Sequence, residues 1–287
     1  CASSEQFEKV KNIVMADRDR KYIVVSAPGK RDSRDIKVTD LFISLYGAVQ
    51  EKKKVESIVE KIKKRYQEII DNLSLSISLD EDFAEIVGKL TEGASLDYAA
   101  SRGEYLNARV MAEYLGFPFV DAEDLIFFSG ESCDFKKTEE VAKSVLSSLE
   151  YAVIPGFYGV NEKGEVVTFS RGGSDVTGSL VAAAVYADLY ENWTDVSGFL
   201  VSDPHIVENP EVIDYITYRE LRELSYMGAG VLHEDAIFPV RKEGIPIQIK
   251  NTNAPEDHGT MIVANTLKKP RFIIREWYFR RAYAFRN

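Results

Sequence analysis

A glycine-rich turn between a short apolar run and a long helix of small residues most constrains the fold. Residues 165–169, EVVTF, have the β-branched composition of a strand, and VTGSLVAAAVYADLY at 176–190 predicts a helix. Between them, SRGGSD at 170–175 carries two glycines, which let the backbone turn sharply and approach a ligand closely. A strand, a glycine turn and a helix in this order are typical of an α/β sheet that binds ligands at the ends of its strands.

The same turn has the composition of an anion site. The first amides of the helix would point at an anion, and Arg171 would add a planar fork for a carboxylate or a phosphate. A plain turn, capped by Ser174 or Asp175, fits the hexapeptide alone equally well. The strand before it and the helix after it favour the anion site.

Apolar periodicity extends the α/β pattern along the chain. Helices are predicted at 5–15, within 37–72, and at 80–90, 96–115, 138–150, 176–190 and 219–227. Strands are predicted at 22–27, 117–120, 125–128, 151–154, 165–169, 192–196, 245–249 and 260–263. This alternation predicts a sheet covered by helices, with ligands at the strand ends.

A glycine inside a predicted helix marks a second candidate site. Gly103 lies within the helix 96–115, where glycine costs about 1 kcal/mol relative to alanine and needs a packing or ligand reason. Glu104 beside it is a candidate partner for a cationic group such as a substrate ammonium. A helix-packing glycine next to a solvated glutamate is the equally acceptable alternative.

Small polar residues at predicted strand ends are further candidates. Ser26 ends a buried strand, where such residues often meet ligands, and Thr39 begins a helix, where it could simply be an N-cap. Thr194, Asp195 and Asp203 lie in two turns, WTDVSG and SDP, that suit a nucleotide pocket. Two Asx turns on a surface loop are the preferred reading of those turns when taken alone.

Composition argues against several classes of protein. The formal net charge is −10, opposite in sign to a typical nucleic-acid-binding protein. No apolar run reaches the roughly 18 residues of a membrane span, and no N-terminal segment resembles a signal peptide. Cys1 and Cys133 are far apart, and His205, His233 and His258 are scattered, so neither a disulfide scaffold nor a metal site is indicated. A cytoplasmic protein without a nucleic-acid or membrane partner is expected.

The last 24 residues differ from the rest of the chain. Positions 264–287 contain seven basic residues and one acidic residue, interleaved with aromatic ones. We therefore separate this basic aromatic tail, of unknown role, from a domain at 1–263. Foreign or out-of-frame sequence is the preferred interpretation of the tail, ahead of a basic amphipathic anchor for a membrane or partner.

Several segments, taken in order, resemble the aspartokinases of the amino acid kinase family. They are VVSAPGK, VTDLF, ASRGEYLNARVMAEYL, VIPGFYG, FSRGGSDVTGSLVAAA, WTDVSGFLVSDP, MGAGVLH and IPIQIKNTNAPEDHGTMIV. They fall within residues 22–263, and SRGGSD followed by WTD and SDP is the most specific part. The resemblance implies a three-layer α/β/α sandwich around a mainly parallel sheet of about eight strands.

The resemblance also implies an activity and a set of ligands. The reaction would transfer the γ-phosphate of ATP to the side-chain carboxylate of L-aspartate, giving 4-phospho-L-aspartate, the first step toward lysine, threonine and methionine. The Mg²⁺ would be carried by the nucleotide, and no metal would be held by protein side chains alone. Aspartate and ATP are the expected small-molecule partners, with a homodimer left open.

Family roles can be carried over to matching positions of this sequence. The substrate contacts fall on Thr39, Glu104, Phe157 and Arg171, with Arg171 on the α-carboxylate and Glu104 on the ammonium. Arg171, Ser174 and Asp175 form the expected catalytic set beside the reacting groups. The nucleotide contacts fall on Ser26, Gly172, Gly173, Thr194, Asp195 and Asp203.

The sequence also departs from the family pattern. The family begins with a KFGG strand whose lysine steadies the transferring phosphate, and Cys1 stands just after the place of that motif, as in an N-terminally truncated domain. The family continues into ACT regulatory modules where the tail stands here, and the P-loop pattern GxxxxGK[ST] is absent.

Three hypotheses follow from the resemblance and the departures. The chain is a working aspartokinase, a non-catalytic remnant that binds nucleotide or aspartate, or a kinase for glutamate or N-acetylglutamate. The pair of Glu104 and Arg171 disfavours the third hypothesis, because it suits a free amino acid with both charged ends.

Overall fold

Buried aliphatic segments form the strands of one central sheet. In the computed structural model, Ile23, Val24 and Val25 have no solvent-accessible surface, and the same holds for Ile247 and Ile249. Consecutive buried residues, as at 23–25, make a strand apolar on both faces, which is typical of parallel strands covered by helices on each side. The structure describes residues 1–202, 207–208, 210–226, 232, 236–264 and 281–285.

Helices and strands alternate along the described chain. The helices are α1 (Ser4–Met15), α2 (Val38–Gln50), α3 (Glu56–Asn72), α4 (Asp80–Thr91), α5 (Leu96–Leu115), α6 (Phe135–Leu146), α7 (Gly173–Ala184), α8 (Tyr218–Tyr226) and α9 (Phe238–Glu243). The strands are β1 (Arg20–Val25), β2 (Phe128–Ser129), β3 (Ser132–Cys133), β4 (Ala152–Pro155), β5 (Tyr158–Val160), β6 (Val166–Thr168), β7 (Leu189–Thr194), β8 (Tyr215–Thr217), β9 (Ile247–Asn251), β10 (Thr260–Val263) and β11 (Arg281–Phe285).

The central sheet is mainly parallel, as predicted. Among the described residues its strand order is β4-β1-β11-β7-β9-β10-β8, and each pairing is parallel except that of β9 with β10. Two antiparallel hairpins, β2-β3 and β5-β6, lie outside this sheet. Because β1 and β7 run in the same direction, Ser26 and Thr194 come to the same edge of the sheet.

Strand β11 belongs to the segment that the sequence sets apart as a basic tail. Its backbone lies between β1 and β7, with Ala282 opposite Tyr22 on one side and Tyr190 on the other. Both pairings are parallel and continue to Phe285. The described sheet has seven strands, β11 included, where the resemblance implies about eight.

Two helix layers cover the sheet and give the predicted three-layer sandwich. Helices α6, α7 and α9 pack together, and α1 to α5 form the other set. The phenol of Tyr22 reaches from β1 to the α6 side, where it donates to the carbonyls of Leu146 and Leu149 at 3.1 Å. In the part of the chain that the structure describes, no helix is both long enough and apolar enough to span a membrane.

Several predicted elements have different bounds in the structure or are missing from it. The strand predicted at 117–120 is wrong, because it reduces to a single bridge between Phe119 and Val153 next to Pro118, which has no amide hydrogen to donate. The helix predicted at 176–190 begins at Gly173 and ends at Ala184, where Tyr186 takes a positive φ of 51°. The end of the predicted helix is strand β7.

The strand predicted at 125–128 is also largely wrong. A short 3₁₀ helix occupies Ala122–Asp124, and Leu125 and Ile126 donate their amides back to the Ala122 carbonyl. The strand proper begins only at Phe128. An apolar run of this length does not by itself distinguish a strand from a tight buried turn.

Candidate active site

Four elements meet around a cavity of about 360 Å³ at the carboxyl edge of the sheet. They are the end of β1, the start of α2, the middle of α5 and the start of α7. The described residues that line the cavity are Ser26, Ala27, Pro28, Gly29, Lys37, Thr39, Asp40, Glu104, Phe157, Ser170, Arg171, Gly172, Gly173, Ser174 and Asp175. Nine of the predicted site residues are therefore brought together: Ser26, Thr39, Glu104, Phe157, Arg171, Gly172, Gly173, Ser174 and Asp175.

The turn before α7 has the geometry of an anion site. Gly172 takes a left-handed conformation with φ 56° and ψ 29°, and α7 begins at the next residue. This leaves the first amides of a fully buried helix facing the cavity, beside the exposed side chain of Arg171. The cavity therefore offers backbone donors and a guanidinium to negatively charged groups.

Phe157 lies in a strained loop opposite this turn. Its φ of 83° is rare for a residue with a side chain, and such backbone strain is concentrated at functional sites. The loop is held by hydrogen bonds from the Phe157 amide to the Thr177 hydroxyl at 3.1 Å and from the Phe169 amide to the Phe157 carbonyl at 2.9 Å. Helix α7 thus supports the loop that carries Phe157.

Glu104 is a buried carboxyl group on the cavity wall. It is 7% exposed, and its Oε2 has no hydrogen-bond partner among the described groups. Burial raises the pKa of Glu104 to about 8, against the opposing effect of hydrogen bonds from the backbone amides of Ala27 and Glu104 itself and of the charge on Arg102. An unsatisfied buried oxygen that faces a cavity is suited to a cationic ligand.

The glycine before Glu104 has a packing reason, one of the two explanations expected for it. A Cβ at Gly103 would stand 2.9 Å from the Cβ of Ala27 and 3.4 Å from Cγ1 of Val38. Helix α5 therefore touches both the end of β1 and the start of α2. That close approach brings Glu104 to the same cavity as Ser26 and Thr39.

Asp175 lies at the bottom of the site, where it joins α7 to β7. It is 1% exposed, and its Oδ1 accepts a hydrogen bond from Asn192 Nδ2 at 2.9 Å. The Tyr190 hydroxyl donates to the Asp175 carbonyl at 3.1 Å. These bonds fix the first turn of α7 relative to the sheet.

The predicted nucleotide residues Thr194 and Asp195 do not line this cavity. Thr194 ends β7 and donates from its hydroxyl to Asp195 Oδ1 at 3.2 Å. Strand β11 lies between β7 and β1. Thr194 and Asp195 are therefore about 10 Å from Ser26 along the same edge of the sheet. Asp203, the remaining predicted site residue, lies outside the described residues.

Sequence reasoning missed two charged residues of the cavity, Lys37 and Asp40. Both lie within two residues of Thr39, a predicted substrate contact, and this closeness in sequence was the signal that could have found them. Charged residues at the start of an exposed helix are common, however, and local sequence does not show which of them face inward.

Within the part of the chain that the structure describes, cavities of about 510 and 500 Å³ are larger than the site. One lies at the turn between α4 and α5, and the other lies beneath α1. None of the predicted site residues lines either of them. No group of three or more potential metal-ligating side chains occurs among the described residues.

The fold and the position of this cavity define an α/β protein with a candidate anion site at the strand ends of a parallel sheet. A sequence model of the amino acid kinase family matches residues 2–251. The chain belongs to the amino acid kinase family.

Within that family the chain is similar to aspartokinases. Aspartokinase 3 of Bacillus subtilis is 39% identical over 278 residues, which are 92% of this chain and 61% of the relative. The crystal structure of the aspartate kinase of Clostridium acetobutylicum superimposes with a TM-score of 0.89 at 53% identity, over 93% of this chain and 62% of that one. The chain thus spans about three-fifths of the length of these two relatives.

A third relative shares the fold. Aspartokinase III of Escherichia coli, in complex with aspartate and ADP, matches with a TM-score of 0.78 at 24% identity. The matched region is 92% of this chain and 62% of the Escherichia coli chain.

Proposed function

We propose that this chain is the catalytic domain of an aspartokinase, which phosphorylates the side-chain carboxylate of L-aspartate with ATP to give 4-phospho-L-aspartate. The observation that carries the proposal is that Glu104 and Arg171, distant in sequence, line one cavity together with the amino end of α7. A buried carboxyl group and an exposed guanidinium on one small cavity match the two charged ends of a free amino acid.

Aspartate fits between these two groups. Its ammonium is paired with Glu104, whose unsatisfied Oε2 gains a partner on binding. Its α-carboxylate is held by the planar fork of Arg171. Thr39 and Phe157 complete the contacts, and the side-chain carboxylate is left to face the phosphate donor.

ATP fits along the carboxyl edge of the sheet. Its terminal phosphates lie at Ser26, Gly172 and Gly173, where α7 supplies backbone amides, and its nucleoside extends toward Thr194 and Asp195. We assign Asp203 to the same nucleotide contacts from sequence alone. Mg²⁺, carried by the nucleotide, would neutralise charge on the phosphate oxygens.

The protein contributes alignment and charge rather than covalent chemistry. Phosphoryl transfer is accelerated mainly by holding donor and acceptor in line and by stabilising the crowded oxygens. Arg171 and the first amides of α7 supply positive charge and donors at that point. Ser174 and Asp175 hold the turn in place, the latter through Asn192 and the sheet.

The similar proteins support this assignment without extending it. The names of the Bacillus and Clostridium relatives specify aspartate kinases, and the Escherichia structure is described as a complex with aspartate and ADP. We further propose the first step of lysine, threonine and methionine synthesis as its role, a cytoplasmic location, residues 1–263 as the catalytic domain, and a homodimer as its assembly.

A hydroxylamine trap tests the proposed reaction directly. The chain, ATP, Mg²⁺, L-aspartate and hydroxylamine should give the coloured iron complex of aspartyl hydroxamate, and omission of aspartate should abolish it. Glutamate and N-acetylglutamate in place of aspartate should give at most a trace. Trapped product with either of those acids, and none with aspartate, would identify a kinase for another acid.

A thermal-shift measurement separates catalysis from binding alone. ATP and aspartate should each raise the melting temperature of the chain by mass action. Stabilisation by both ligands without trapped product would show a protein that binds the substrates and does not turn them over. A folded chain that shows neither ligand stabilisation nor trapped product would refute the proposal.

A further inference from the structure

The loop at 29–36 connects β1 to α2 and leads directly to Lys37 and Thr39 on the cavity wall. Residues 30–34 of this loop are exposed, so burial of apolar side chains does not hold it in shape. A polar loop of this kind is expected to be mobile unless specific hydrogen bonds fix it. Its anchor is therefore important for the cavity.

Arg65 of α3 provides that anchor. Its Nη2 donates to the Gly29 carbonyl at 2.9 Å, and its Nη1 donates to the Ile36 carbonyl at 3.1 Å. These carbonyls lie at the two ends of the loop. One guanidinium, only 5% exposed, thus fastens both ends to a rigid helix.

Asp35 extends the anchor into the loop. Its Oδ2 lies 2.9 Å from Arg65 Nη1 and accepts hydrogen bonds from Nε of Arg31 at 3.0 Å and from the Arg31 amide at 2.9 Å. Partial burial opposes ionisation of Asp35, but the hydrogen bonds from Arg31 and the charges of Arg65 and Arg31 lower its pKa to about 2. The carboxylate is therefore charged at neutral pH and links the loop interior to Arg65.

The residue after Arg65 holds the opposite wall of the cavity. The Tyr66 hydroxyl donates to the Gly103 carbonyl at 2.8 Å, one residue before Glu104. Tyr66 is 1% exposed. Neighbouring residues of α3 therefore contact both the loop that leads to Thr39 and the helix that carries Glu104, although neither of them lines the cavity.

We propose that Arg65 is a positioning residue, which holds the 29–36 loop in the conformation that presents Lys37 and Thr39 to the substrate. This inference rests on the proposed function for the identity of the substrate, an amino acid with a second carboxylate. A planar guanidinium is needed because the donor must reach two carbonyls and a carboxylate in different directions. A lysine ammonium in its place reaches fewer of these acceptors at once.

Limited proteolysis with trypsin tests the anchor without relying on activity. The loop contains exposed trypsin sites at Lys30, Arg31 and Arg34, with Lys37 at its end. Cleavage of the native protein at these sites can be monitored by mass spectrometry. It should be faster by at least about tenfold in Arg65→Met, because the charge-assisted hydrogen bonds to both ends of the loop are lost. Arg65→Lys should give an intermediate rate.

Arg109→Met is the matched control. Arg109 also pairs with a carboxylate, the buried one of Asp82, and it does not line the cavity. This variant should lose thermal stability while the cleavage rate in the 29–36 loop stays at the wild-type value. In wild type and Arg109→Met, added aspartate should slow loop cleavage, whereas in Arg65→Met it should not.

Kinetics complete the test. In the hydroxamate assay, the KM for aspartate should rise by at least about tenfold in Arg65→Met and remain unchanged in Arg109→Met. Equal loop cleavage and equal KM in the two variants would overturn the role of Arg65. If Arg65→Met does not fold, an unchanged cleavage rate in Arg65→Lys would overturn it equally. A wild-type chain without activity would refute the proposed function, while the cleavage comparison would still decide the anchor.

Discussion

Phe157 and Gly173 approach so closely that a Cβ at position 173 would stand 2.6 Å from Cδ2 of Phe157 and 2.8 Å from its Cα. The second of these contacts is with backbone, so rotation of the phenyl ring cannot relieve it. The strained φ of Phe157 and the absence of a side chain at 173 therefore belong to one arrangement, in which α7 begins directly against the Phe157 loop.

Gly173→Ala should disrupt this arrangement. The added methyl group displaces Phe157 or the first turn of α7, which should destabilise the protein by about 1–3 kcal/mol, as overpacking of a core does. A displacement of 1 Å at reacting groups can cost about a hundredfold in rate, so kcat/KM for aspartate should fall by that order. Calorimetry and the hydroxamate assay measure the two effects.

Gly88→Ala is the control for an added methyl group in a helix. Gly88 lies within α4, and no neighbouring atom within 4 Å meets a Cβ built there. This substitution should leave kcat/KM unchanged and raise stability by up to about 1 kcal/mol. Wild-type activity in Gly173→Ala would contradict the role of the close contact.

The protonation of Glu104 should make aspartate binding depend on pH. Because burial raises the pKa of Glu104 to about 8, the carboxyl group is mostly protonated in the empty site at pH 7. Binding of the aspartate ammonium favours the carboxylate, so it should release close to one proton at pH 7. The KM for aspartate should fall as pH rises from 6 to 8, by up to about tenfold per pH unit, and level off above.

Calorimetry in buffers of different ionisation enthalpy measures the released proton. Glu104→Gln should abolish both the proton release and the pH dependence of the aspartate KM, while the KM for ATP changes much less. If the aspartate KM of the wild type did not depend on pH, this would contradict the claim that Glu104 is protonated before aspartate binds. Equal losses for both substrates in Glu104→Gln would indicate destabilisation instead.

Glu104 should also make the stability of the protein depend on pH, with the opposite sign to that of an ordinary ion-paired carboxylate. The raised pKa means that between about pH 4.5 and 8 the folded protein holds a proton that the unfolded chain has lost. Raising the pH through this window therefore favours unfolding through Glu104. The free energy of unfolding of Glu104→Gln relative to wild type should consequently be higher at pH 8 than at pH 5, as measured by denaturant titration.

Local patterns in the sequence predict the α7 turn and its role in the site. The strand before it, the glycine pair and the small-residue helix all appear within 30 residues, and each has a conformational reason that local sequence carries. The glycine at 103 makes a ligand-binding Glu104 one of two equally acceptable interpretations, and the family resemblance predicts both Glu104 and Phe157 at the site. The cavity they share with Arg171 depends on packing between α5 and β1 that no local pattern contains.

Other features depend on contacts between distant segments. Arg65 lies among the lysines and glutamates of α3, yet it is 5% exposed because it binds two carbonyls of a loop about 30 residues away. The position of β11 between β1 and β7 likewise depends on tertiary pairing, since a strand's neighbours in a parallel sheet are not neighbours in sequence. Sequence periodicity reports which residues are buried and not which segment buries them.

Arg171→Lys should weaken aspartate binding although the charge is kept. A lysine replaces a bidentate contact with a point charge, and loss of one charge-assisted hydrogen bond corresponds to about tenfold or more in KM. The KM for ATP should change much less. Arg18→Lys, at an exposed arginine outside the cavity, should leave both constants unchanged.

An unchanged aspartate KM in Arg171→Lys would exclude a forked contact with the α-carboxylate. If kcat fell instead with KM constant, Arg171 would act on the transferring phosphate, because a contact made only in the transition state lowers kcat alone. The two constants thus distinguish its two proposed uses, substrate binding and charge stabilisation.

Lys37 should contribute to the rate of transfer. Among the described residues that line the cavity, Lys37 and Arg171 are the positively charged ones, against the carboxyl groups of Asp40, Glu104 and Asp175. Phosphoryl transfer concentrates negative charge on the transferring oxygens, and a cation within the site stabilises that charge. Lys37→Met should therefore lower kcat by at least about tenfold while the aspartate KM changes little.

Lys30→Met provides the matched control for this substitution. Lys30 lies on the same loop and is exposed, but it does not line the cavity. Its loss changes the net charge of the chain by the same amount and should leave kcat at the wild-type value. Equal effects of the two substitutions would show that Lys37 acts only through the general field of the protein, whereas a rise in the aspartate KM alone would make it a binding residue.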